Sequence, residues 1–461
     1  AYLSGVVPQG AFGVGYASMR DLPQPAVEST LELLGVDAEL EAASVIVGSG
    51  STATRREIID GLFSQATPDE QGFLADLLLG SLRQGASERL MMDAVAKAFD
   101  IPATLVRRAT MFTGDVAEVA GAAATGGRPA IAAIGLRLFR PVLPMLAKAA
   151  ASVEEGLARL GSAAVERKLD GARIQAHLRD GEVRVYTRNL NDVTDRVPEV
   201  VAAIRTLDAD SLVLDGEAIG LRADAKPLPF QVTMGRFGTE GEDRPIVLSP
   251  FFFDVLHMNG DDVLDLPTLQ RIELLDRLVP EDLRVPRVVT ENAETARRFF
   301  DETLAAGHEG VVLKALDAPY AAGRRGAAWL KVKPVHTLDL VVLAVEWGSG
   351  RRQGWLSNIH LGARAADGSF VMLGKTFKGM TDSMLEWQTK RFLELESHRK
   401  GHVVYVRPEQ VVEIAFDGIQ SSSRYPGGMA LRFARVKGYR NDKTAAEADT
   451  IETVRAIFEG L

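Results

Sequence analysis

The chain has 461 residues, 46% of them hydrophobic and 25% charged, which is the composition of a folded globular protein of about three domains. It contains no cysteine, and this excludes disulfides, thiolate zinc sites and cysteine nucleophiles. The formal net charge of −9 argues against a protein that coats nucleic acid non-specifically. It is compatible with an enzyme that has one local basic face.

No apolar run approaches the ~20 residues needed to span a bilayer, and Leu338–Val345 is among the longest. No charged segment followed by an apolar one opens the chain, so we expect no signal peptide. These features predict a cytoplasmic protein without a membrane partner. The first residue is Ala1 rather than Met, so we expect a native N-terminal segment to precede it.

The first 145 residues are predicted to be helical. Apolar residues recur at helical spacing in 74–82 and 91–99. Ser87 is predicted to begin one helix, and Pro102 follows the end of another. The small residues of 120–127 predict a flexible loop or linker.

Short strands separated by turns follow, first with interspersed helices and then almost alone. The first set predicts a mixed α+β domain with strands at Arg184–Thr187, Ser211–Leu214, Ile246–Val255 and Gly310–Leu313 and a helix at Leu269–Leu278. The second set predicts a small barrel with strands at Leu338–Val345, Asn358–Ala363, Phe370–Leu373, Val403–Val406 and Val411–Phe416. We therefore expect three domains, at 1–145, 146–335 and 336–461.

The strongest local signal is Glu166-Arg-Lys168-Leu-Asp170-Gly171-Ala-Arg173. A lysine two residues before Asp-Gly predicts a strand that runs into a tight turn and exposes the amine. Such a pattern arises by chance in roughly one chain in twenty of this length. By itself it is equally compatible with a surface turn.

Six further motifs follow in order: Thr187-Arg188-Asn189, Asp215-Gly-Glu217, Phe253-Asp254, Glu309-Gly310-Val-Val-Leu-Lys314, Trp329-Leu-Lys331-Val-Lys333 and Arg440-Asn-Asp442-Lys443. Together they resemble the nucleotidyltransferase motifs of polynucleotide ligases and mRNA capping enzymes. The Arg-x-Asp-Lys ending and the helical N-terminal region narrow the resemblance to ATP-dependent DNA ligases. Residues 329–362 resemble the actinobacterial ligase B branch in particular.

The resemblance implies an all-α N-terminal DNA-binding domain, an α+β adenylation (nucleotidyltransferase) domain and a C-terminal β-barrel OB-fold domain. It implies that Lys168 takes AMP from ATP and carries it to the 5′-phosphate of a nick, where the 3′-hydroxyl displaces it. The expected cofactors are ATP and Mg²⁺, with Mn²⁺ as a substitute. The expected partner is nicked double-stranded DNA, bound by a monomer associated with the nucleoid, and a sliding clamp or repair factors are left open as partners.

This chemistry makes a demand on Lys168, because a lysine is a nucleophile only when neutral and its ordinary pKa is ~10.4. Reaction near pH 7–8 requires a decrease of about 3 units, which is roughly 4 kcal/mol. Alternation along a strand predicts that Lys331 and Lys333 share one face, where they would supply cationic charge. The alternative is that both are solvated lysines on a strand.

The resemblance also assigns the ATP- and AMP-binding residues, which are Glu166, Arg173, Arg188, Glu217, Phe253, Arg325, Lys331 and Lys333. Phe253 would stack on adenine, and strand alternation places it on the same face as Phe251. Glu217 and Glu309 would hold the metal, since one or two carboxylates suffice for Mg²⁺. Without the other motifs, Asp215-Gly-Glu217 would be only a polar turn, and Asp254 is also compatible with a structural role.

Two further groups are assigned in the same way. Arg440, Asp442 and Lys443 would orient the pyrophosphate leaving group, with a hinge at 334–339. The expected DNA-binding residues are Arg83, Gly85, Arg107, Arg108 and Arg435. No base-reading motif is present, as expected for an enzyme that recognises a nick in any sequence.

Three other classes of protein share parts of this pattern. An RNA ligase or capping guanylyltransferase would share the Lys-x-Asp-Gly motif but lack the helical N-terminal region. An NAD-dependent ligase is disfavoured because that family carries a four-cysteine zinc site. A catalytically inactive protein that binds nicks is disfavoured by the intact Lys168, Glu217, Glu309 and Lys331.

Overall fold

The computed structural model describes residues 2–5, 7–10, 15, 18–19, 21–46, 48, 50–82, 87–237, 246–321 and 325–459, without the side chains of 325 and 326. The chain divides into two compact units, Ala1–Lys331 and Val332–Leu461. Among the described residues, no helix is both long and apolar enough to cross a membrane.

The first unit begins with α-helices, as the spacing of apolar residues predicts. They are α1 (Leu33–Ser44), α2 (Ser51–Gln65), α3 (Pro68–Leu78), α4 (Glu88–Ala98), α5 (Ala103–Thr113) and α6 (Val116–Ala132). Local sequence fixes their ends: Thr67 and Glu70 form a capping box at α3, and the Ser87 hydroxyl accepts from the Leu90 N–H at α4. Gly114 ends α5 in the left-handed conformation, and Asp115 caps α6 immediately afterwards.

The predicted loop at 120–127 is wrong, because these residues belong to α6. Alanine has the highest helix propensity, and the Ala-rich run continues a helix whose Val119 and Ala123 face the core. The small residues do leave a mark at Gly127, whose φ of 58° and ψ of −152° kink the helix just before Pro129. Composition alone therefore indicated flexibility where the structure has a kinked helix.

Two five-stranded sheets form the rest of this unit, and they carry the site described below. The strands are β1 (Leu146–Ala149), β2 (Ala163–Lys168), β3 (Ala172–Arg179), β4 (Glu182–Thr187), β5 (Ser211–Gly220), β6 (Leu248–Met258), β7 (Asp261–Asp262), β8 (Arg287–Thr290), β9 (Gly310–Ala315) and β10 (Arg325–Val332). One sheet has the order β1-β10-β9-β2-β8 and the other β4-β3-β5-β6-β7. The helices between them are α7 (Val153–Leu160), α8 (Pro198–Arg205), α9 (Phe230–Gly235), α10 (Thr268–Leu278) and α11 (Ala293–Ala305).

Two apolar clusters join these elements. One packs α8 and α10 against the sheet with the order β4-β3-β5-β6-β7, around the fully buried Phe252. The other is a seam in which Met111 and Phe112 of α5 meet Met145, Tyr320 and Trp329. The helical region is thereby packed onto the sheets rather than tethered by a free linker.

The second unit is rich in β-structure. Its elements are β11 (His336–Trp347), β12 (Leu356–Arg364), β13 (Phe370–Thr376), α12 (Asp382–Glu394), β14 (Glu396–Lys400), β15 (Val403–Val406), β16 (Val411–Phe416), β17 (Gly418–Ser421), β18 (Met429–Arg432), β19 (Arg435–Arg440) and α13 (Ile451–Glu459). The long strand β11 pairs with β16 along its first half and with β15 along its second, while β12 and then β13 follow on its other edge. A chain of several regions with a helical N-terminal part and a β-rich C-terminal part is thus confirmed.

The pairing of these strands does not close a barrel in the part of the chain that the structure describes. In the strand order β13-β12-β11-β15-β14, the edge strands are β13 and β14, and they do not pair with each other. Strand β19 pairs only with β16. The OB-fold assignment therefore stays a prediction.

Candidate active site

Lys168 is the last residue of β2, where the chain leaves one sheet for the other. The three residues that follow, 169–171, join β2 of one sheet to β3 of the other. Gly171 is required there, because a Cβ would lie 2.4 Å from the Ala218 carbonyl oxygen. The Gly171 N–H donates to Glu217 Oε1 at 3.2 Å, which brings that carboxylate beside the lysine.

The Lys168 ammonium forms an ion pair with Glu309, the residue before β9. Both side chains are largely buried, with 23% and 13% exposed. The backbones are joined as well, since the Glu309 N–H donates to the Lys168 carbonyl at 3.1 Å. The two sequence motifs are therefore in direct contact, 141 residues apart in the chain.

A cavity of about 570 Å³ opens beside this pair. Its lining includes seven of the predicted site residues, namely Glu166, Lys168, Arg173, Arg188, Glu217, Phe253 and Lys331. Among the lining residues that were not assigned a role are Thr187, Asn189, Lys314 and Trp329. Basic, acidic and aromatic groups thus converge on one space, which is the arrangement of a ligand site.

Glu166 lines this cavity, with only 2% of its surface exposed. Lys314 Nζ approaches Glu166 Oε2 at 2.7 Å, and Arg287 Nε donates to Oε1 at 3.2 Å. Two cations therefore contact one buried carboxylate, and both of its oxygens accept from them. Glu166 is an acceptor in both of these contacts.

Phe253 and Trp329 form the aromatic part of the lining, with ring centroids 6.1 Å apart in an edge-to-face arrangement. Lys314 Nζ lies 4.6 Å from the Phe253 centroid and 4.4 Å from that of Trp329. Phe253 falls at a register shift between β5 and β6, and Phe252 alone of the aromatic run is fully buried. A partly exposed ring in a polar cavity can stack on a planar ligand.

Arg173 also lines the cavity, but its donors are used within the protein. It donates to both oxygens of Asp215 at 3.0 and 2.6 Å and to the Met145 carbonyl at 2.7 Å. The Tyr320 hydroxyl donates to the same Asp215 at 2.6 Å, and burial holds the pKa of Tyr320 well above its ordinary value. The network makes Arg173 part of the cavity wall.

Glu217 has an unusual electrostatic environment. Burial raises the pKa of the Glu217 carboxyl to about 7, against the opposing attraction of Lys168 and Arg173. No cluster of three or more acidic, histidine or cysteine side chains that could hold a metal is present among the described residues. Glu217 and Glu309 both lie near Lys168, and two carboxylates are donors of the kind that could hold a Mg²⁺ ion.

The other predicted nucleotide-contacting residues are not in this cavity lining. Lys333 lies one residue past the end of β10, so strand alternation does not place it with Lys331, and its Nζ is 3.6 Å from Asp417. Arg435, predicted to bind DNA, donates to the same Asp417 at 3.1 Å. Arg325 begins β10, but its side chain lies outside the described residues.

The predicted pyrophosphate-orienting residues lie together in the second unit. Arg440 is the last residue of β19, and Asp442 and Lys443 follow it. Arg440 donates to both oxygens of Asp442 at 2.9 and 2.7 Å. Arg440 and Lys443 also donate to Asp339 of β11. The structure thus groups these three residues around a carboxylate that the sequence analysis did not single out.

The predicted DNA-binding residues of the helical region have acidic partners or lie outside the described residues. Arg83 and Gly85 belong to the latter group. Arg107 donates to Asp93 at 2.6 Å, and Arg108 donates to both oxygens of Asp265 at 2.7 and 2.6 Å. Arg108 therefore links α5 to the loop before α10.

The sequence analysis assigns no role to several residues that contact the predicted site residues: Asp215, Arg287, Lys314, Tyr320, Trp329 and Asp339. Asp215, Lys314 and Trp329 stand inside quoted motifs and could have been found from their spacing. Arg287, Tyr320 and Asp339 carry no local signal, since only the fold brings them to their partners.

Asp254 has a structural partner, the fully buried Arg271, which donates to both of its oxygens at 2.7 and 3.1 Å.

The chain is similar to known DNA ligases over its whole length. The family model for the ATP dependent DNA ligase domain matches residues 144–333, that for the ATP dependent DNA ligase C terminal region matches 352–443, and that for the DNA ligase N terminus matches 13–96. A probable DNA ligase of Mycobacterium sp. (strain KMS) is 58% identical over 100% of this chain and 91% of its own length. One of Nocardioides sp. (strain ATCC BAA-499 / JS614) is 55% identical over 99% of this chain and 90% of its own.

The fold itself is similar to that of a solved structure named Pmar-Lig_PreS3, with a TM-score of 0.64 and 21% identity, covering 95% of this chain and 91% of that one. The family models and the relatives together establish the class: the chain belongs to the ATP-dependent DNA ligases. It is accordingly an enzyme of this family, as the ordered motifs predict.

Proposed function

We propose that this chain seals nicks between a 5′-phosphate and a 3′-hydroxyl in duplex DNA, with ATP as the AMP donor and Lys168 as the nucleophile. One observation carries the proposal. Lys168 ends a strand inside a cavity that combines an aromatic wall, a buried acceptor and further cations. Those are the groups that a purine, a ribose and a phosphate chain require.

The first step joins the lysine to the nucleotide. Neutral Lys168 Nζ attacks the α-phosphorus of ATP, a P–N bond forms, the bond to the β-phosphate oxygen breaks, and pyrophosphate leaves as the lysine proton is lost. An oxygen of the 5′-phosphate at the nick then attacks the same phosphorus and releases the lysine. Finally the 3′-hydroxyl attacks the 5′-phosphate, loses its proton and releases AMP.

The residues around the cavity support specific roles in these steps. The partly exposed ring of Phe253 suits contact with adenine, and Glu166, an acceptor in both of its contacts, suits an amino group of the base. Lys331 and the exposed Arg188 supply cationic charge for the phosphates. Arg173 supports the wall behind Phe253, since its guanidinium lies 5.3 Å from that ring and is held by Asp215.

A divalent metal belongs to this proposal. Glu217 and Glu309 are the residues that would hold Mg²⁺, or Mn²⁺ in its place, and the ion would neutralise charge on the transferred phosphate. Lys168 and Glu309 form an ion pair, so a metal held there would compete with the lysine for that carboxylate. Catalysis by the chain itself is then a matter of positioning and charge, as in other phosphoryl transfers.

For the second unit we propose the OB-fold and a role in gripping DNA, within the three-domain division at 1–145, 146–335 and 336–461. Phe433 supports this: its ring is 55% exposed, its φ of 54° is rare for a bulky residue, and Lys378 and Arg432 lie within 5.6 and 5.9 Å of its centroid. An exposed aromatic flanked by cations suits a nucleic acid. Contact through Arg107 and Arg108 would require exchange of their carboxylate partners for DNA phosphates.

The proposal is tested with a labelled duplex that carries a single nick. We expect ATP with Mg²⁺ to support sealing, and neither NAD nor GTP to replace ATP. A nick in duplex RNA is the matched control for the substrate, and we expect it to be sealed far more slowly. Sealing that depends on NAD, or no sealing of nicked DNA with any donor, would contradict the proposal.

A further inference from the structure

Asp339 lies on β11 and binds two of the residues predicted to orient pyrophosphate. Arg440 Nη1 and Lys443 Nζ both donate to its Oδ2, at 3.0 and 2.6 Å. The carboxylate is 11% exposed, whereas the two cationic side chains are 30% and 31% exposed. Two cations from one end of the second unit therefore converge on a single oxygen atom.

The backbone of Asp339 is fixed independently of these cations. It pairs with Glu413 in the β11–β16 ladder. Its N–H donates to the Asp449 carboxylate at 2.7 Å, and the Asp449 N–H donates to its carbonyl at 2.8 Å. Asp339 is thus the anchored member of the group, and Arg440 and Lys443 are the members whose positions depend on it.

Without a shared carboxylate the two cations would repel each other. Arg440 has a second partner in Asp442, but Lys443 has no other ion pair in the part of the chain that the structure describes. Charge-assisted hydrogen bonds to one oxygen offset the repulsion and set the direction in which each side chain points. The remaining donors of both side chains are left for an incoming anion.

We infer that Asp339 is the positioning residue that holds Arg440 and Lys443 together for the pyrophosphate leaving group of the first step. The inference rests on the function proposed above. In this role Asp339 makes no contact with ATP. Since the later steps release no pyrophosphate, Asp339 acts on lysyl-AMP formation and not on sealing of a nick that already carries AMP.

The test measures two reactions of the full chain: lysyl-AMP formation from α-labelled ATP across ATP concentrations, and sealing of a nick that is already adenylated. The variants are Asp339→Asn, which removes the charge, and Asp339→Glu, which retains it. Glu413→Gln is the matched control, because Glu413 is the cross-strand neighbour of Asp339 and acts on Arg440 only through its charge.

We expect Asp339→Asn to slow lysyl-AMP formation about tenfold or more, the value of a lost charge-assisted hydrogen bond, with sealing unchanged. Asp339→Glu should recover part of the rate, and Glu413→Gln should behave like the wild type. Wild-type adenylation in Asp339→Asn, an equal loss of both reactions, or an equal loss in Glu413→Gln would overturn the inference. Absence of lysyl-AMP in the wild type would instead overturn the proposed function, and the inference with it.

Discussion

Lys168 and Glu309 are held together twice, through a backbone hydrogen bond of 3.1 Å and through an ion pair between their side chains. One is the proposed nucleophile, and the other is a proposed ligand of the metal. The same short segment of paired strands therefore carries both the amine that must react and the carboxylate that forms an ion pair with it.

We expect Glu309→Gln to lower the rate of lysyl-AMP formation about tenfold or more and to raise the Mg²⁺ concentration that gives half the maximal rate. The reason is that only one carboxylate of the pair then remains for the cation. Rates are measured with α-labelled ATP in a Mg²⁺ titration. Glu154→Gln, which changes an exposed carboxylate paired with Arg297, is the control. An unchanged Mg²⁺ requirement in Glu309→Gln would remove Glu309 from the metal site.

The buried pair of Lys314 and Glu166 should be important for stability. Their side chains are 2% and 3% exposed, and removing one partner leaves a buried charge with fewer partners. We expect Lys314→Met to lower the free energy of unfolding by about 3 kcal/mol. Arg298→Ala breaks an exposed pair with Glu302 and should change it by less than about 0.5 kcal/mol. Urea unfolding measures both, and equal effects of the two variants would refute the assignment.

The raised pKa of Glu217 gives a prediction about pH. Its carboxyl titrates near 7 in the folded chain and ordinarily near 4.5, so ionisation between these values destabilises the folded state. Stability from this group is fully present below pH 4.5 and is lost as pH rises through about 7. Glu217→Gln cannot ionise, so we expect its stability relative to the wild type to increase by about 2 to 3 kcal/mol from pH 4.5 to pH 8.

The measurement is thermal unfolding of both proteins across this pH range without ATP or metal. Glu154→Gln, with an exposed carboxylate, is the control and should show no such increase. A difference between Glu217→Gln and wild type that is constant with pH would contradict the raised pKa.

His177 should show the opposite dependence. Burial lowers its pKa to about 3, and its Nδ1 accepts from the Phe139 N–H at 3.0 Å, which requires the neutral ring. Its contribution to stability is present above pH 6.5 and is lost as pH falls towards 3. We expect the stability difference between wild type and His177→Gln to shrink by about 2 kcal/mol from pH 7 to pH 5.

Chemical denaturation at each pH gives this difference. The exposed His398, changed to Gln, is the comparison and should show no comparable trend. A difference for His177→Gln that stays constant, or that grows as pH falls, would contradict the buried neutral imidazole.

Much of the fold could be predicted from local pattern. The predicted strands at Val403–Val406 and Val411–Phe416 coincide with β15 and β16, because alternating β-branched residues bounded by turn residues mark strands directly. The predicted helix at Leu269–Leu278 differs from α10 by one residue. The loop predicted at 120–127 is wrong because a composition rich in glycine and alanine indicates flexibility. In the structure, burial of Val119 and Ala123 favours a helix.

Part of the candidate site could likewise be predicted from the sequence, and part could not. Seven predicted residues line one cavity, since each motif sits at the end or middle of a strand that faces it. Lys333 was placed beside Lys331 by alternation, but β10 ends at Val332 and alternation ends with it. Asp339 could not be found, because its partners are 101 and 104 residues away and only the β11–β16–β19 pairing brings them together.

The identity of the nucleophile is tested most directly by mass spectrometry of the protein after incubation with ATP and Mg²⁺. We expect the intact chain to gain one AMP, and the modified peptide to carry it on Lys168. Lys168→Ala should gain none, while Lys148→Ala, which changes an exposed lysine on β1, should gain as much as the wild type. An undiminished gain in Lys168→Ala, or AMP found on another residue of the wild type, would contradict the account.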